Sequence, residues 1–400
     1  MSRLSTYFSG VAAKRLSAVE ADTETSNQHE FNGIKAMVSL FGSSGTHIDT
    51  DFLYLGEDED ETLSEKGFLT WYDARENHPN RSEYRLYFPS NEIMEKASPE
   101  DLLVIAKKPN GEVTLLIVHA GSTFERQVLW LFGITEEHRG FNTATFAGEK
   151  NRPIGYIERI ILQTLGIETE FEETNWLDRI LERFDQTFPK TAAFSSFARE
   201  TLPDVSSLID PDAAIMAWIT QEEMLFRSLE RYIVEQKLVE GFEGVDEFIK
   251  YSLSVQNRRK SRMGYALENH LKQVFTDYGL SFSIQQITEH NSKPDFLFPG
   301  IEQYHEPDFP PERLTMLGAK SSCKERWNQV LAEANRITQK HLFTLEASIS
   351  LKQTDKMQEK NLQLVLPADI HKTYLEDQQE WLMNLNEFIM LVKENQLLEG

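Results

Sequence analysis

One cysteine, Cys323, stands in a chain of 400 residues. That scarcity excludes an intramolecular disulfide framework and a multi-cysteine zinc site, and it fits a reducing compartment. Set three residues after Lys320, Cys323 reads better as a small buried thiol than as a nucleophile. No apolar run reaches the length that spans a bilayer, and the opening residues (MSRLSTYFSGVAAKRLSAVEADTE) lack the long apolar segment of a secretory signal. The expectation is a cytoplasmic protein with no membrane partner. Positive charge is scarce too, with 41 Lys and Arg against 64 Asp and Glu, a net charge of −23. Over the whole chain this argues against nucleic acid as a partner, because phosphates are met largely by Lys and Arg. The acid is local, however, concentrated in GEDEDETLSE (56–65) and ETEFEET (168–174), while Arg258, Arg259, Lys260 and Arg262 form an isolated basic cluster. An acidic protein with a basic face can bind DNA and avoid coating it indiscriminately. Taken alone, the cluster reads equally well as a solvated helix end.

Four hundred residues exceed one ordinary core, so two domains are expected. From 33 to about 135 the pattern is strand-like: GIKAMVSLFG, GFLTWYDA, SEYRLYF, DLLVIAKK and EVTLLIVHAG are rich in β-branched and aromatic residues. Pro109, Asn110 and Gly111 join two of these runs as a hairpin. The reading is a mainly β, barrel-like domain over 1–165 with helices near 93–98 and 124–131. A linker is expected over 166–205, acidic and then rich in Ser, Thr and Pro, with a short helix at TNWLDRILERF. The rest, 206–400, alternates helices and strands and predicts an α/β domain with a mixed central sheet flanked by helices. Its helices are expected over Ala213–Gln236 with Asp212 as N-cap, then at VDEFIKYSLSVQ, GYALENHLKQVFTDYG, CKERWNQVLAEANRIT and near Glu376. Strands are expected at FSIQQI, PDFLFPG, LTMLGAK, HLFTLEA and LQLVLP.

Four Pro-Asp pairs occur, at Asp204, Asp212, Asp295 and Asp308. Asp204 and Asp212 lie where turns or caps explain them, and Asp308 sits in a proline-rich stretch that suits no central strand. Only Asp295 opens an apolar strand. Lys320 ends another, and a lysine there needs a carboxylate or phosphate nearby. Carboxylates that hold a divalent cation beside a lysine that positions water are the equipment of a metal-dependent nuclease. The common nuclease arrangement has an acid two residues before the lysine, but Gly318 stands there. The missing acid must come from elsewhere, and Glu333, 13 residues on in a helical stretch, is the candidate. Glu268, between Leu267 and Leu271, is a further candidate to orient Lys320 or a metal-bound water. Both glutamates also read as exposed acids on amphipathic helices. Lys324, Glu325 and Arg326 have the chemistry to read G and C edges in a major groove, or to form surface salt bridges. Trp218 suits either a pocket for a flipped base or a core.

RRKSRMGYALENHL, KPDFLFP, GAKSSCKERWNQVLAEA and HLFTLE closely resemble the catalytic half of the EcoRII-type restriction endonucleases over about 240–375. The resemblance implies a PD-(D/E)XK site in which Asp295, Lys320 and the displaced Glu333 are catalytic, with Asp295 and Glu333 on Mg²⁺. It also implies that Lys324, Glu325 and Arg326 read a five-base CC(W)GG-type target. In the first half, KRLSAVEADTETSNQHEFNG and NRSEYRL resemble two DNA-gripping arms of the EcoRII effector domain, a pseudobarrel. On that resemblance His29 lies on the first arm and Arg81, Glu83 and Arg85 on the second, although Pro79 and Tyr84 stand where lysines are expected. It implies a homodimer acting on double-stranded DNA, regulated by effector-site binding, with a cognate DNA methyltransferase as functional partner. Three other readings stay open. They are a DNA-binding regulator on an inactive nuclease scaffold, a modification-sensing nuclease, and a first domain that binds protein rather than DNA.

Overall fold

The computed structural model describes residues 3–21, 29–43, 45–57, 61–134, 140–146, 154–167, 169, 176–323 and 327–397. The chain divides into two compact units, Met1–Phe171 with Ser348–Lys352, and Glu172–Ala347 with Gln353–Gly400. No described helix is long and apolar enough to cross a membrane.

The first unit is one sheet of eight strands: β1 (Gly10–Arg15), β2 (Glu30–Asn32), β3 (Thr46–Leu55), β4 (Leu63–Asp73), β5 (Tyr84–Tyr87), β6 (Leu102–Lys107), β7 (Val113–Val118) and β8 (Asn142–Thr145). Their order is β2-β5-β4-β3-β7-β6-β1-β8, antiparallel except for the parallel β3–β7 pair. Alternate residues from strands across the whole sheet, among them Ala12, Phe31, Phe52, Trp71, Leu86, Ile105 and Leu115, enter one core. One shared core across so many strands means that the sheet wraps around it, as the barrel-like expectation requires. The β6–β7 hairpin turns where expected, with Gly111 at φ +96°. Helices α1 (Glu92–Lys96) and α2 (Thr123–Phe132) begin at Asn91 and Ser122, whose side chains accept from Met94 N and Glu125 N.

GIKAMVSLFG is not a strand. It forms a 3₁₀ turn, Lys35–Met37, and a helical turn, Val38–Phe41. Met37, Leu40 and Phe41 are the buried residues, a spacing of three to four that suits a helix rather than the spacing of two that a strand needs.

The second unit holds a five-stranded mixed sheet of β9 (Ser283–Ile284), β10 (Phe296–Phe298), β11 (Thr315–Lys320), β12 (Lys340–Thr344) and β13 (Leu362–Val365), in the order β13-β12-β11-β10-β9. β11, β12 and β13 run parallel, whereas β10 is antiparallel to both of its neighbours. The stretch expected as a linker carries the helix expected at TNWLDRILERF, α3 (Trp176–Phe184), and a second one, α4 (Thr191–Glu200). Their apolar residues recur every three to four positions. Ile180, Phe194, Phe197 and Ala198 bury that stripe against Leu225, Phe226 and Leu229 of α5 (Pro211–Glu240).

The cap of α5 is Asp210, which accepts from Ala213 N at 2.9 Å, and Pro211 takes the first turn. Asp212 does not cap α5. Its buried carboxylate accepts from Ala368 N, Leu385 N and Asn386 N at 2.8–3.1 Å, and so holds the start of the helix Leu385–Leu397. The two helices expected at VDEFIKYSLSVQ and GYALENHLKQVFTDYG are one, α6 (Val245–Asp277). The intervening RRKSR is made of good helix formers, and Gly264 within the helix costs only about 1 kcal/mol.

His341 on β12 is buried at 3 % exposure, with its ring 5.2 Å from Phe388. Burial pulls its imidazole down to about 4. An unfolded histidine titrates near ~6.5, so the unfolded chain takes up the proton first. This contribution to stability is complete above that value and is lost as pH falls from there to about 4. In thermal melts of wild type and His341→Phe, the loss of Tm between pH 7 and pH 5 should be smaller in the variant by roughly 4–8 °C. Equal losses would remove His341 from the account.

Candidate active site

β10 and β11 bring the first two residues together. Phe296 pairs with Leu317, so one step outward Asp295 comes opposite Gly318, with Lys320 just beyond. The Asp295 carboxylate is buried at 6 % exposure. Its Oδ2 accepts from Lys320 Nζ at 2.6 Å and from Ala319 N at 2.7 Å. The lysine that ends an apolar strand thus has its partner, and the carboxylate is fixed by a backbone donor as well as an ammonium.

Gly318 explains why no acid precedes the lysine on β11. A Cβ there would lie 2.8 and 3.2 Å from the two methyls of Val330 and 3.6 Å from Leu342. Val330 belongs to α7 (Trp327–Leu331), which covers the strand at this point. Glu333 lies just past the end of α7 rather than within a continuing helix, and its N–H donates to Val330 O at 3.2 Å. Ala334 follows in the left-handed region at φ +49°.

Burial pushes the Glu333 carboxyl up to about 7, repulsion from Asp295 adds to the shift, and Lys320 and Lys340 oppose it. Glu268, on α6, behaves alike. Burial and then Asp295 push it up to about 7, against Lys320 and a 3.0 Å hydrogen bond from Gln285 Nε2. Three acids therefore share one lysine. The Glu333 Oε2 atom is buried and has no hydrogen-bond partner among the described residues. Repelling carboxyls and an orphaned acceptor oxygen suit a hard divalent cation, which takes oxygen ligands and relieves the repulsion. Asp295 and Glu333 have the oxygen donors that could hold it. Among the described residues no three His, Cys, Asp or Glu side chains close into a full cage.

The chain is 33 % identical to the type II restriction enzyme EcoRII of Escherichia coli, over 96 % of this chain and 93 % of that protein. It belongs to the EcoRII family of type II restriction endonucleases. Like the family, it is a nuclease that cleaves DNA. The family described as EcoRII C terminal matches residues 226–389, a span that contains all four residues of the site. Two solved structures are also similar. Metal-depleted Ecl18kI in complex with uncleaved DNA has a TM-score of 0.45 at 19 % identity, over 55 % of this chain and 83 % of that one. The restriction endonuclease PspGI–substrate DNA complex has a TM-score of 0.45 at 14 % identity, over 52 % and 93 %.

Other residues singled out from sequence have different surroundings. Lys324, Glu325 and Arg326 lie outside the described residues. The basic cluster is not one patch. Arg262 is 8 % exposed, donates to Pro189 O and lies 5.1 and 5.0 Å from the Phe194 and Phe226 rings. Arg258 stacks over Phe188 at 4.1 Å, and Arg259 Nε donates to Glu230 at 2.6 Å. Of the four, only Lys260 is exposed on the helix. Planar guanidinium groups suit aromatic faces, as Arg258 and Arg262 show, while Arg259 is paired with Glu230. Cys323 is fully buried, and burial raises its thiol well above the usual range. Trp218, at 4 % exposure, is core.

In the first unit, His29 is half-buried with its ring 5.8 Å from Phe88, and Arg81 is exposed. Arg85 lies between two acids, 2.7 Å from Glu30 and 2.6 Å from Glu83, and Glu83 also accepts from Arg75 at 2.5 Å. Glu30 and Arg75 were not among the residues expected from sequence. The pairing of β2 with β5, which sets Asn32 against Arg85, is what brings the first of them in.

Replacing Gly318 by Ala should lower stability by about 1–3 kcal/mol through overpacking against Val330. Cleavage should fall with it, because Glu333 hangs from that residue. The double variant Gly318→Ala/Val330→Ala should recover much of the loss in melting and plasmid-cleavage assays. A fully active, fully stable single variant would show that the contact is slack.

Proposed function

We propose that this enzyme is a Mg²⁺-dependent endonuclease that cuts both strands of DNA at a CCWGG-like site, with Asp295, Lys320 and Glu333 as its catalytic residues. The observation that carries the reading is the Asp295–Lys320 pair, 2.6 Å apart, beside two acids whose ionisation is held back to about 7. A divalent cation held by Asp295 and Glu333 would supply Lewis-acid stabilisation of charge at the scissile phosphate. Lys320, fixed by Asp295, keeps two N–H donors for a water and a phosphate oxygen, so it can hold the water in line with the bond to be broken. The water oxygen bonds to phosphorus as the 3′ oxygen leaves, giving a 5′-phosphate and a 3′-hydroxyl. Glu268 orients Lys320 from the α6 side. Lys324, Glu325 and Arg326 read the C and G bases of the target.

A near-palindromic site presents one half-site twice, so two copies acting about a two-fold axis match it. Leu238, Val239, Val245, Phe248, Ile249 and Leu253, all exposed near the α5–α6 turn, offer an apolar surface of the kind a dimer buries. The first domain binds a second copy of the target through His29, Arg81, Glu83 and Arg85 and regulates cleavage. A cognate methyltransferase protects the same sites on resident DNA, and the site of action is the cytoplasm.

Asp295→Ala and Lys320→Ala should each lower plasmid cleavage in Mg²⁺ by roughly 10²–10³-fold or more, with duplex binding retained. Wild-type rates in either variant would sink this assignment. The double variant Arg81→Ala/Arg85→Ala should lose stimulation by added target duplex and keep its basal cleavage. Undiminished stimulation would assign the first domain another role.

A further inference from the structure

Glu333 has no strand or long helix to hold it. The described part of helix α7, Trp327–Leu331, is short, and the acid sits in the turn after it. Backbone hydrogen bonds from Glu333 N to Val330 O and from Ile337 N to Ala334 O close that turn, and side chains from outside it add further holds. The Lys340 ammonium, on a residue 7 % exposed, donates to Ala334 O at 3.1 Å and Ile337 O at 2.9 Å. Glu289 accepts from Asn335 N at 3.3 Å, and its two oxygens also accept from the Tyr304 hydroxyl at 2.7 and 2.6 Å. That hydroxyl in turn accepts from Arg336 N at 3.2 Å. The Arg336 guanidinium donates to the carbonyls of Tyr304, Glu306 and Phe309. Tyr304 itself is 1 % exposed.

These contacts have a direction. Glu289 lies six residues before Asp295, and Asn335 two residues after Glu333. The Glu289–Asn335 bond, aided by a 3.5 Å contact from Ser292 Oγ to Ala332 O, ties the approach to Asp295 to the turn that carries Glu333. These contacts join the two stretches of backbone that carry the acids. Left-handed Ala334 is a strained conformation for a residue with a Cβ, and it persists only where its surroundings over-determine it. Lys340 on the Ala334 carbonyl is such a surrounding.

We propose that Glu289, Tyr304, Arg336 and Lys340 form a clamp whose role is to position Glu333 against Asp295 for the divalent cation. They are positioning residues and touch no reacting atom. The inference rests on the reading of Asp295 and Glu333 as the cation-holding pair. Groups that orient metal ligands typically cost 10–100-fold in metal affinity when removed.

The test uses Tyr304→Phe, which keeps the ring in its core and deletes the hydroxyl joining Glu289 to Arg336, with Glu289→Gln as the second variant. Mg²⁺ is titrated calorimetrically into the full-length enzyme bound to a target duplex with a non-hydrolysable linkage at the scissile position. Amide exchange at Asn335 and Arg336 is followed in EDTA. The clamp predicts faster exchange at both amides, Mg²⁺ binding weakened about 10-fold or more, unchanged duplex affinity in EDTA, and cleavage restored by raising Mg²⁺. Wild-type Mg²⁺ affinity in a variant whose amides exchange faster overturns it, as does lost cleavage that no Mg²⁺ concentration restores. Asp295→Ala separates the two levels. If that variant binds Mg²⁺ as wild type does, the assignment of the cation-holding pair has failed. If it loses Mg²⁺ while both clamp variants keep it, only the clamp has failed.

Discussion

The packing of Val330 onto Gly318 is the constraint from which the rest of the site follows. Helix α7 can lie on β11 only because position 318 has no side chain. With that contact made, the strand has no place for an acid two residues before Lys320, and on the proposed reading Glu333, just past the helix, supplies the carboxyl instead. Moving a ligand from a strand to a turn loses the rigidity that sheet hydrogen bonds provide. Side-chain hydrogen bonds to the backbone of the turn make up for it, which is why the interior behind Glu333 is unusually polar for a region next to a sheet.

Electrostatics at the site are deliberately unbalanced. One buried carboxylate is matched with one ammonium, and two further acids are pressed towards the neutral form by burial and by that same carboxylate. Such an arrangement works against folding, and a sequence selected for stability alone would remove it. On the proposed reading a bound cation would relieve the repulsion, so binding free energy and folding free energy would draw on one source.

Much of this was legible in the residues. Asp295, Lys320 and the strands around them declare themselves because an apolar run that ends on a charge has few meanings. The hairpin at Asn110–Gly111 was equally plain. Other features were hidden for physical reasons. β3 is hidden because Asp, which strands disfavour, occupies its outward positions 49 and 51, although Ile48, Thr50 and Phe52 between and beside them are buried in strict alternation. GIKAMVSLFG has strand composition on a helical period, and there the period wins. Arg262 looked like a surface charge because sequence does not report the phenylalanines that converge on it from α4 and α5. The clamp residues are spread from 289 to 340 among ordinary polar positions, and only the fold gathers them. Lys340 left one trace, a lysine at the head of an apolar strand, which is the same signal that singled out Lys320.

On the proposed DNA-binding role of the first domain, the pairing of Arg85 with Glu30 and Glu83 bears on how strongly salt should govern that binding. An arginine that meets a phosphate from bulk solvent adds to the counterions that DNA releases on binding, and affinity then falls steeply as salt rises. An arginine already neutralised must first give up its carboxylates, and these acquire a cation atmosphere of their own once exposed. Release from the DNA is partly offset by uptake onto the protein. The arm exchanges one anion for another, which weakens adhesion to arbitrary sequence more than it weakens a well-fitted site. A chain with so marked an excess of acid thereby keeps its few cations reserved for DNA that offers more than charge.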